Sequence, residues 1–357
     1  MRKSLKNLTV IISIGLLVIL TAGCEVISFG GQSGNNDAYY NDDQGGNSQR
    51  ISEGLYNKAP HLILPSDNPI NISTTMGDTI IDKAIYYINY FHNSSTNNYT
   101  LLLDNNIDLS GTYINGNRNL TRSNVNLTIM GIDEERIISL SSSGFIFVVN
   151  SYDTSLTLRD NITLVGRNGN NSAVVAVTGG ASFTMSSNSS ITGNSSTSYN
   201  FSGGGVYIEG AGTTFTMQDN ASVHGNTAEY GGGVFIGNNA SFLMRDMASI
   251  SGNNINSSFG YGGGVYVAGT FNMEGGTISG NRANEGGGVY IAGGTFTMSG
   301  GTVYGSNASY TLANTAFFSG SSLYRDWGTA VYNYPGNNIL PHTDSYHNYT
   351  NYTIPAN

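Results

Sequence analysis

The sequence predicts an all-β fold: a right-handed single-stranded parallel β-helix, or solenoid, with an N-terminal capping α-helix. Three observations carry that prediction. Gly262 to Asn281 reads Gly-Gly-Gly-Val-Tyr-Val-Ala-Gly-Thr-Phe-Asn-Met-Glu-Gly-Gly-Thr-Ile-Ser-Gly-Asn, and variants of the same text begin at Gly203, Gly231 and Gly286. Inside each unit apolar residues alternate with small polar ones, the period-two pattern of a strand with one buried face. The equivalent residues Met185, Met217, Met244, Met273 and Met298 lie 32, 27, 29 and 25 residues apart. That spacing leaves no room for a helix between parallel strands and suits a coil that climbs about 4.8 Å per turn. Right-handedness follows because parallel crossovers nearly always have that hand.

The chain opens on a targeting segment over 1–23. Arg2, Lys3 and Lys6 form a positive region, Leu8 to Leu20 an apolar core, and Ala22-Gly23-Cys24 a small-residue cleavage site. The apolar run is shorter than a membrane-spanning helix needs. Cys24 is the only cysteine, so it cannot form an intrachain disulfide. The segment resembles a bacterial lipoprotein signal, and the resemblance implies cleavage before Cys24 and acylation of its thiol. Several acyl chains would hold the protein on a membrane where one would be marginal.

Residues 24–60 are rich in Gly, Asn, Asp, Ser and Gln, and read as a flexible tether. Its acids Asp37, Asp42 and Asp43 read as solvated linker charges rather than metal ligands. Within a cap spanning 61–98, residues 78–93 form the one helix. Ile80, Ile81, Ala84, Ile85, Ile88 and Phe91 recur at helical spacing, and Thr79-Ile-Ile-Asp82 reads as a capping box. An open solenoid end exposes unpaired strand edge and core, so this amphipathic helix is assigned as its lid.

The coils are expected over 99–308. Phe183, Phe215, Phe242, Phe271 and Phe296, each with the Met two residues on, point inward as one column. Val206, Val234, Val265 and Val289 form a second, and Ile191, Val223, Ile250, Ile278 and Val303 a third, which implies three strands per turn. Gly-Gly-Gly before each Val strand and Ser/Thr/His-Gly-Asn after each Ile strand supply the corners. Asn194, Asn226, Asn253 and Asn281 recur at one place in each coil and are expected to hydrogen-bond as a ladder. Residues 309–357 are dense in aromatics and broken by Pro335, Pro341 and Pro355, as a terminal cap would be.

Gly-Gly-Gly-Val-Tyr/Phe followed by Ile-Ser-Gly-Asn resembles the repeats of chlamydial polymorphic outer-membrane proteins and related bacterial β-helix surface lipoproteins. The resemblance covers about Leu101 to Ala308 and implies exposure on the cell surface, often with adhesion.

Composition narrows the function. Charged residues are only 10% and the formal charge is −9, which argues against nucleic acid, whose phosphates demand basic surface. No metal-ligand spacing, phosphate loop or nucleophile motif stands out, so neither metal nor cofactor is expected. Polysaccharide lyase or glycosidase chemistry would need paired carboxylates on neighbouring coils. Asp219 and Asp246 align, with Glu274 close by, but Arg245, Arg282 and His224 occupy other parts of the coil, and no catalytic residue is assigned.

Two features point to binding instead. With Val and Ile inward, Tyr207, Phe235, Tyr266 and Tyr290 face outward in a ladder that could stack on sugar rings, anchor a protein, or simply stack on itself. From turn Asn to the next Gly-Gly-Gly the spacing is 9, 5, 9 and 5 residues, so one corner is enlarged in alternate coils. Tyr199, Phe201, Phe259 and Tyr261 sit in the long corners, where repeat proteins often bind. Ser182/Thr184, Thr214/Thr216 and Thr295/Thr297 also resemble the Thr-x-Thr array of ice-binding solenoids, interrupted by Leu243 and Asn272. The expected function is a cell-surface lipoprotein, held in the envelope through Cys24, whose stalk binds a host or envelope protein or a glycan. The alternative is a carbohydrate-active β-helix protein.

Overall fold

The computed structural model of the 357-residue chain describes residues 79–91 and 98–316, apart from 117, 132–133, 198–201, 258, 306–308 and 310. It adds short strands at Glu25–Val26, His61–Leu62, Val331–Asn333 and Tyr352–Ile354. The signal segment and most of the tether lie outside the described residues. The fold is a parallel β-helix of about seven turns, preceded by one helix, α1, at Ile80–Phe91.

Period-two patterning becomes strand pairing coil by coil. Phe183, Phe215, Phe242, Phe271 and Phe296 are direct partners in parallel register. Their rings stack with centroids 5.2, 4.7, 4.7 and 4.9 Å apart, all within the core. Aromatic pairs at that spacing add about 0.5–1.5 kcal/mol beyond the burial of their area. The Val column and the Ile column are likewise in register and buried.

The Phe and Ile strands belong to one 17-stranded sheet, and the Val strands form a separate 8-stranded sheet. The first two faces merge because the late strands Thr270–Ser279 and Thr295–Val303 run through the corner that bends earlier coils. In those earlier coils the bend falls on a residue with left-handed backbone, Asp219 at φ 53° and Asp246 at φ 58°. A fourth face was not expected. Thr227–Ala228, Asn254–Ile255, Arg282–Ala283 and Thr315–Ala316 form a 4-stranded sheet directly after the turn Asn.

The glycine triplet is explained position by position at Gly262 to Gly264. Gly262 has φ 70°; a Cβ on Gly263 would stand 2.6 Å from the Arg282 backbone, and one on Gly264 2.5 Å from the Gly288 carbonyl oxygen. The first glycine supplies a backbone angle that L residues rarely adopt, and the other two let adjacent coils touch.

Asn194, Asn226, Asn253 and Asn281 do form a ladder, and it extends to Asn170 and Asn314, all six at most 1% exposed. Asn226, Asn253 and Asn281 donate through Nδ2 to the Oδ1 of the next coil's Asn at 3.3, 3.0 and 2.9 Å. The same oxygens accept from the backbone N–H of the preceding Asn at 3.0, 2.9 and 2.9 Å. Each remaining amide proton reaches a buried carbonyl, such as Val223 O for Asn253 and Ile250 O for Asn281. The polar corner is thereby satisfied without water.

α1 closes the N-terminal end. Thr79 Oγ1 and Asp82 exchange hydrogen bonds as the capping box requires, at 2.8 and 3.2 Å. The helix begins and ends two residues inside the range 78–93 expected from periodicity. Ile81, Ala84, Ile85 and Ile88 are fully buried in the same core as the coils. Arg118, 4% exposed, pairs with Asp82 at 2.8 Å and donates to Ser110 O at 2.8 Å, which stitches the lid to the first coil. Asn89 adds a bond to Asn119 O at 2.7 Å.

Sheet edges at both ends are paired. Glu25–Val26 runs parallel to Tyr99–Thr100 and His61–Leu62 antiparallel to Leu101–Leu102. Tyr352–Ile354 lies antiparallel on Phe296–Met298, which pairs the C-terminal edge of the Phe strands.

Candidate functional site

The outward residue of each Val strand carries the ladder. Tyr207, Phe235, Tyr266 and Tyr290 are direct register partners, with ring centroids 5.3, 4.9 and 5.5 Å apart and planes within 19° of parallel. They lie outside the main core. Tyr207 joins a satellite cluster with Phe145, Val148, Ala173 and Ala176, so the apolar strip continues toward the N-terminal coils.

A second aromatic column covers the first. Tyr230 and Tyr261, each just before its Gly-Gly-Gly, pair across coils with centroids 5.8 Å apart. Tyr261 stacks on Tyr290 at 4.6 Å, and Tyr230 leans on Tyr266 at 5.5 Å and 58°. Tyr207 and Tyr290 are buried, while Phe235, Tyr266, Tyr230 and Tyr261 are half-buried. The rings of Phe235 and Tyr266 each have a neighbour on both faces. Phe235 and Tyr266 therefore offer a ligand ring edges rather than a free face for a sugar ring to lie on.

Carboxylates line the same strip. The Tyr207 hydroxyl donates to Glu209, and burial, then this hydrogen bond and the Glu209 charge, push the phenol far above its ordinary range. Burial also raises Tyr230, assisted by the neighbouring Glu229 charge, and raises Tyr266. Glu229, 8% exposed, is itself raised by burial, against a hydrogen bond from Tyr230 that lowers it. These phenols stay protonated and act as donors at neutral pH.

The long corners stand beside the strip. Asn256 Nδ2 donates to Ser196 O at 2.6 Å, sixty positions away, and Asn284 Nδ2 to Ser257 O at 3.1 Å. Phe259 is 68% exposed at the tip of its corner. Tyr199, Phe201 and Cys24 lie outside the described residues.

No counterpart to this chain emerged from comparison with protein-family models, curated proteins and solved structures.

Asp219 and Asp246, two of the acids weighed for catalysis, accept hydrogen bonds within the turns. Asp219 Oδ2 accepts from the Ser187 N–H at 3.2 Å, and Asp246 Oδ2 from the Asp219 N–H at 3.2 Å. His224 Nδ1 stands 3.2 Å from Thr192 Oγ1, and burial lowers its pKa below the ordinary histidine value. The threonine pair Thr184 and Thr216 is in register and is followed by Leu243 and Asn272, as the sequence implied. Sequence reasoning passed over Tyr230 as a site residue. The available signal was its position, one before the Gly triplet, which Tyr261 shares.

Proposed function

We propose that this chain is a lipid-anchored cell-surface protein whose β-helix is a stalk and binding platform, an adhesin or envelope-interaction protein. The observation that carries the binding reading is the double aromatic column on the outer face of the Val sheet. Tyrosine is among the side chains enriched as anchors of protein interfaces, and Phe259, two positions before Tyr261, is exposed. Because both faces of Phe235 and Tyr266 are taken by neighbours, a protein partner that meets ring edges fits better than a stacked sugar. The anchor reading rests on Arg2, Lys3 and Lys6, the apolar run and Cys24.

The test is a pull-down of envelope and host-surface proteins, with a panel of acidic and neutral glycans in parallel. Unsubstituted protein should retain a partner that Tyr266→Ser/Tyr290→Ser loses while its circular dichroism is unchanged. Retention that is equal per folded molecule overturns the site, and release of cleaved glycan favours a carbohydrate-active protein. Metabolic labelling with palmitate, lost in Cys24→Ala, and protease shaving of intact cells test the anchor and its exposure.

A further inference from the structure

The N-terminal end holds features that the binding strip does not use. Glu25–Val26 pairs in parallel with Tyr99–Thr100 on the free edge of the first coil. Cys24 directly precedes Glu25 in the chain, so an anchor on its thiol is tied through one peptide bond to a residue paired on that edge. At His61–Leu62 the chain is back at the same edge, paired with Leu101–Leu102. A linker with both ends fixed to one strand cannot lift the domain away from whatever holds Cys24.

The same end carries α1, with its apolar face spent on the core. Its other side displays Lys83, Tyr86 and Tyr90, three and four positions apart and hence one stripe. The Tyr86 and Tyr90 rings lie 4.6 Å apart, and Tyr90 is 69% exposed. Asp82, the acid of this helix, is neutralised by Arg118, which leaves Lys83 to set the sign of the stripe. Tyrosine rings settle at the level of lipid headgroups, and a lysine stem lies along apolar surface while its ammonium stays wet.

We propose that the outer face of α1 is a membrane-contact surface. With Cys24 acylated, the Lys83, Tyr86 and Tyr90 stripe rests in the headgroup layer, and the solenoid stands on its capped end with the aromatic strip of later coils held away from the bilayer. This rests on the lipid-anchor reading of Cys24 and replaces the expected swinging tether with a seated base. Acyl chains supply the affinity, and the stripe supplies the orientation, since a few interfacial side chains alone bind weakly.

The experiment uses full-length acylated protein in phosphatidylcholine vesicles with brominated acyl chains. Tyr90→Trp and Phe259→Trp are compared after subtraction of the single native tryptophan, measured in the unsubstituted chain. Tyr90→Trp should shift to the blue and be quenched about twofold or more beyond Phe259→Trp, as expected for a ring at the headgroup and acyl boundary. Equal quenching with mass spectrometry showing acylated Cys24 overturns the contact surface and leaves the anchor standing. An unacylated Cys24 overturns both. A concentration-dependent blue shift without vesicles means that a second copy covers the stripe, which also overturns the proposal.

Discussion

Asn253 Nδ2 donates to Asn281 Oδ1 at 3.0 Å, in the middle of a column of amides sealed from solvent. Its own Oδ1 accepts from the N–H and the Nδ2 of Asn226. Asn253→Ala removes the acceptor of the Asn226 N–H and the donor to Val223 O, both on the preceding coil. Each buried polar group left unpaired costs about 1–3 kcal/mol, so the substitution is expected to cost about 3 kcal/mol. Asn238→Ala, at an exposed turn, is the comparison. Urea titration of both checks the difference, and equal midpoints would mean that the ladder contributes nothing beyond shape.

The core column gives a second expectation. Phe242 stacks between Phe215 and Phe271 at 4.7 Å on each side and has no exposure. Phe242→Ala should cost about 3–5 kcal/mol, the usual range for emptying a buried aromatic site. Because the Phe column of each coil packs against the coils directly above and below it, loss of hydrogen-exchange protection should centre on the coils of Phe215, Phe242 and Phe271. Phe259→Ala, on an exposed side chain, should leave the exchange pattern unchanged.

Much of this was legible in the sequence because a solenoid writes its contacts as text. Phe271 meets Phe242 in space since both occupy the same letter of successive units. Asn170 and Asn314 were missed because neither follows the Ser-Gly-Asn text. Yet Asn314-Thr-Ala316 matches Asn226-Thr-Ala228, and that signal was available. The fourth sheet escaped notice because two-residue strands are too short to show a period. The crossing of Tyr230 onto Tyr266 was not readable at all. It depends on how a corner folds back over a strand, which no spacing within one coil encodes.

Glycine packing predicts an asymmetry between two alanine substitutions. A Cβ on Gly232 would stand 2.4 Å from Asn254 O and 2.5 Å from Gly263 O, whereas one on Gly293 meets nothing within 4 Å although its φ is 80°. Gly293→Ala should cost the left-handed backbone strain of about 1–2 kcal/mol. Gly232→Ala must force two coils apart and should cost more, with thermal unfolding as the measurement. A reversed order would mean that the coils slide easily past one another.

His224 should make stability depend on pH. Burial lowers its folded pKa below that of the unfolded chain, so between the folded value and about 6.5 the unfolded state binds more protons. Stability therefore rises with pH through that window, and is flat with respect to this group above and below it. His224→Gln should remove that slope and leave the rest of the profile in place. If urea midpoints between pH 5 and 7 are parallel for the two proteins, the histidine is solvated in solution as well as titratable.

A largely buried ion pair helps hold the lid to the first coil, and breaking it should open the chain at one end only. Arg118→Ala leaves Asp82 facing the first coil without its cation, and also frees Ser110 O. Removing one partner of a buried pair costs about 3–5 kcal/mol, a loss felt where α1 meets the coil. Ile81, Ala84, Ile85 and Ile88 would then detach together, because they bury as one face of one helix. Hydrogen exchange should accordingly lose protection over α1 and the first coil, while the coils from Phe183 to Phe296 keep theirs. The exposed edge and core should also make Arg118→Ala associate at concentrations where the unsubstituted protein remains monodisperse, as light scattering would show. Uniform loss of protection along the whole stack would instead mean that the solenoid unfolds as one cooperative unit, and that the lid is part of its nucleus rather than a closure added to it.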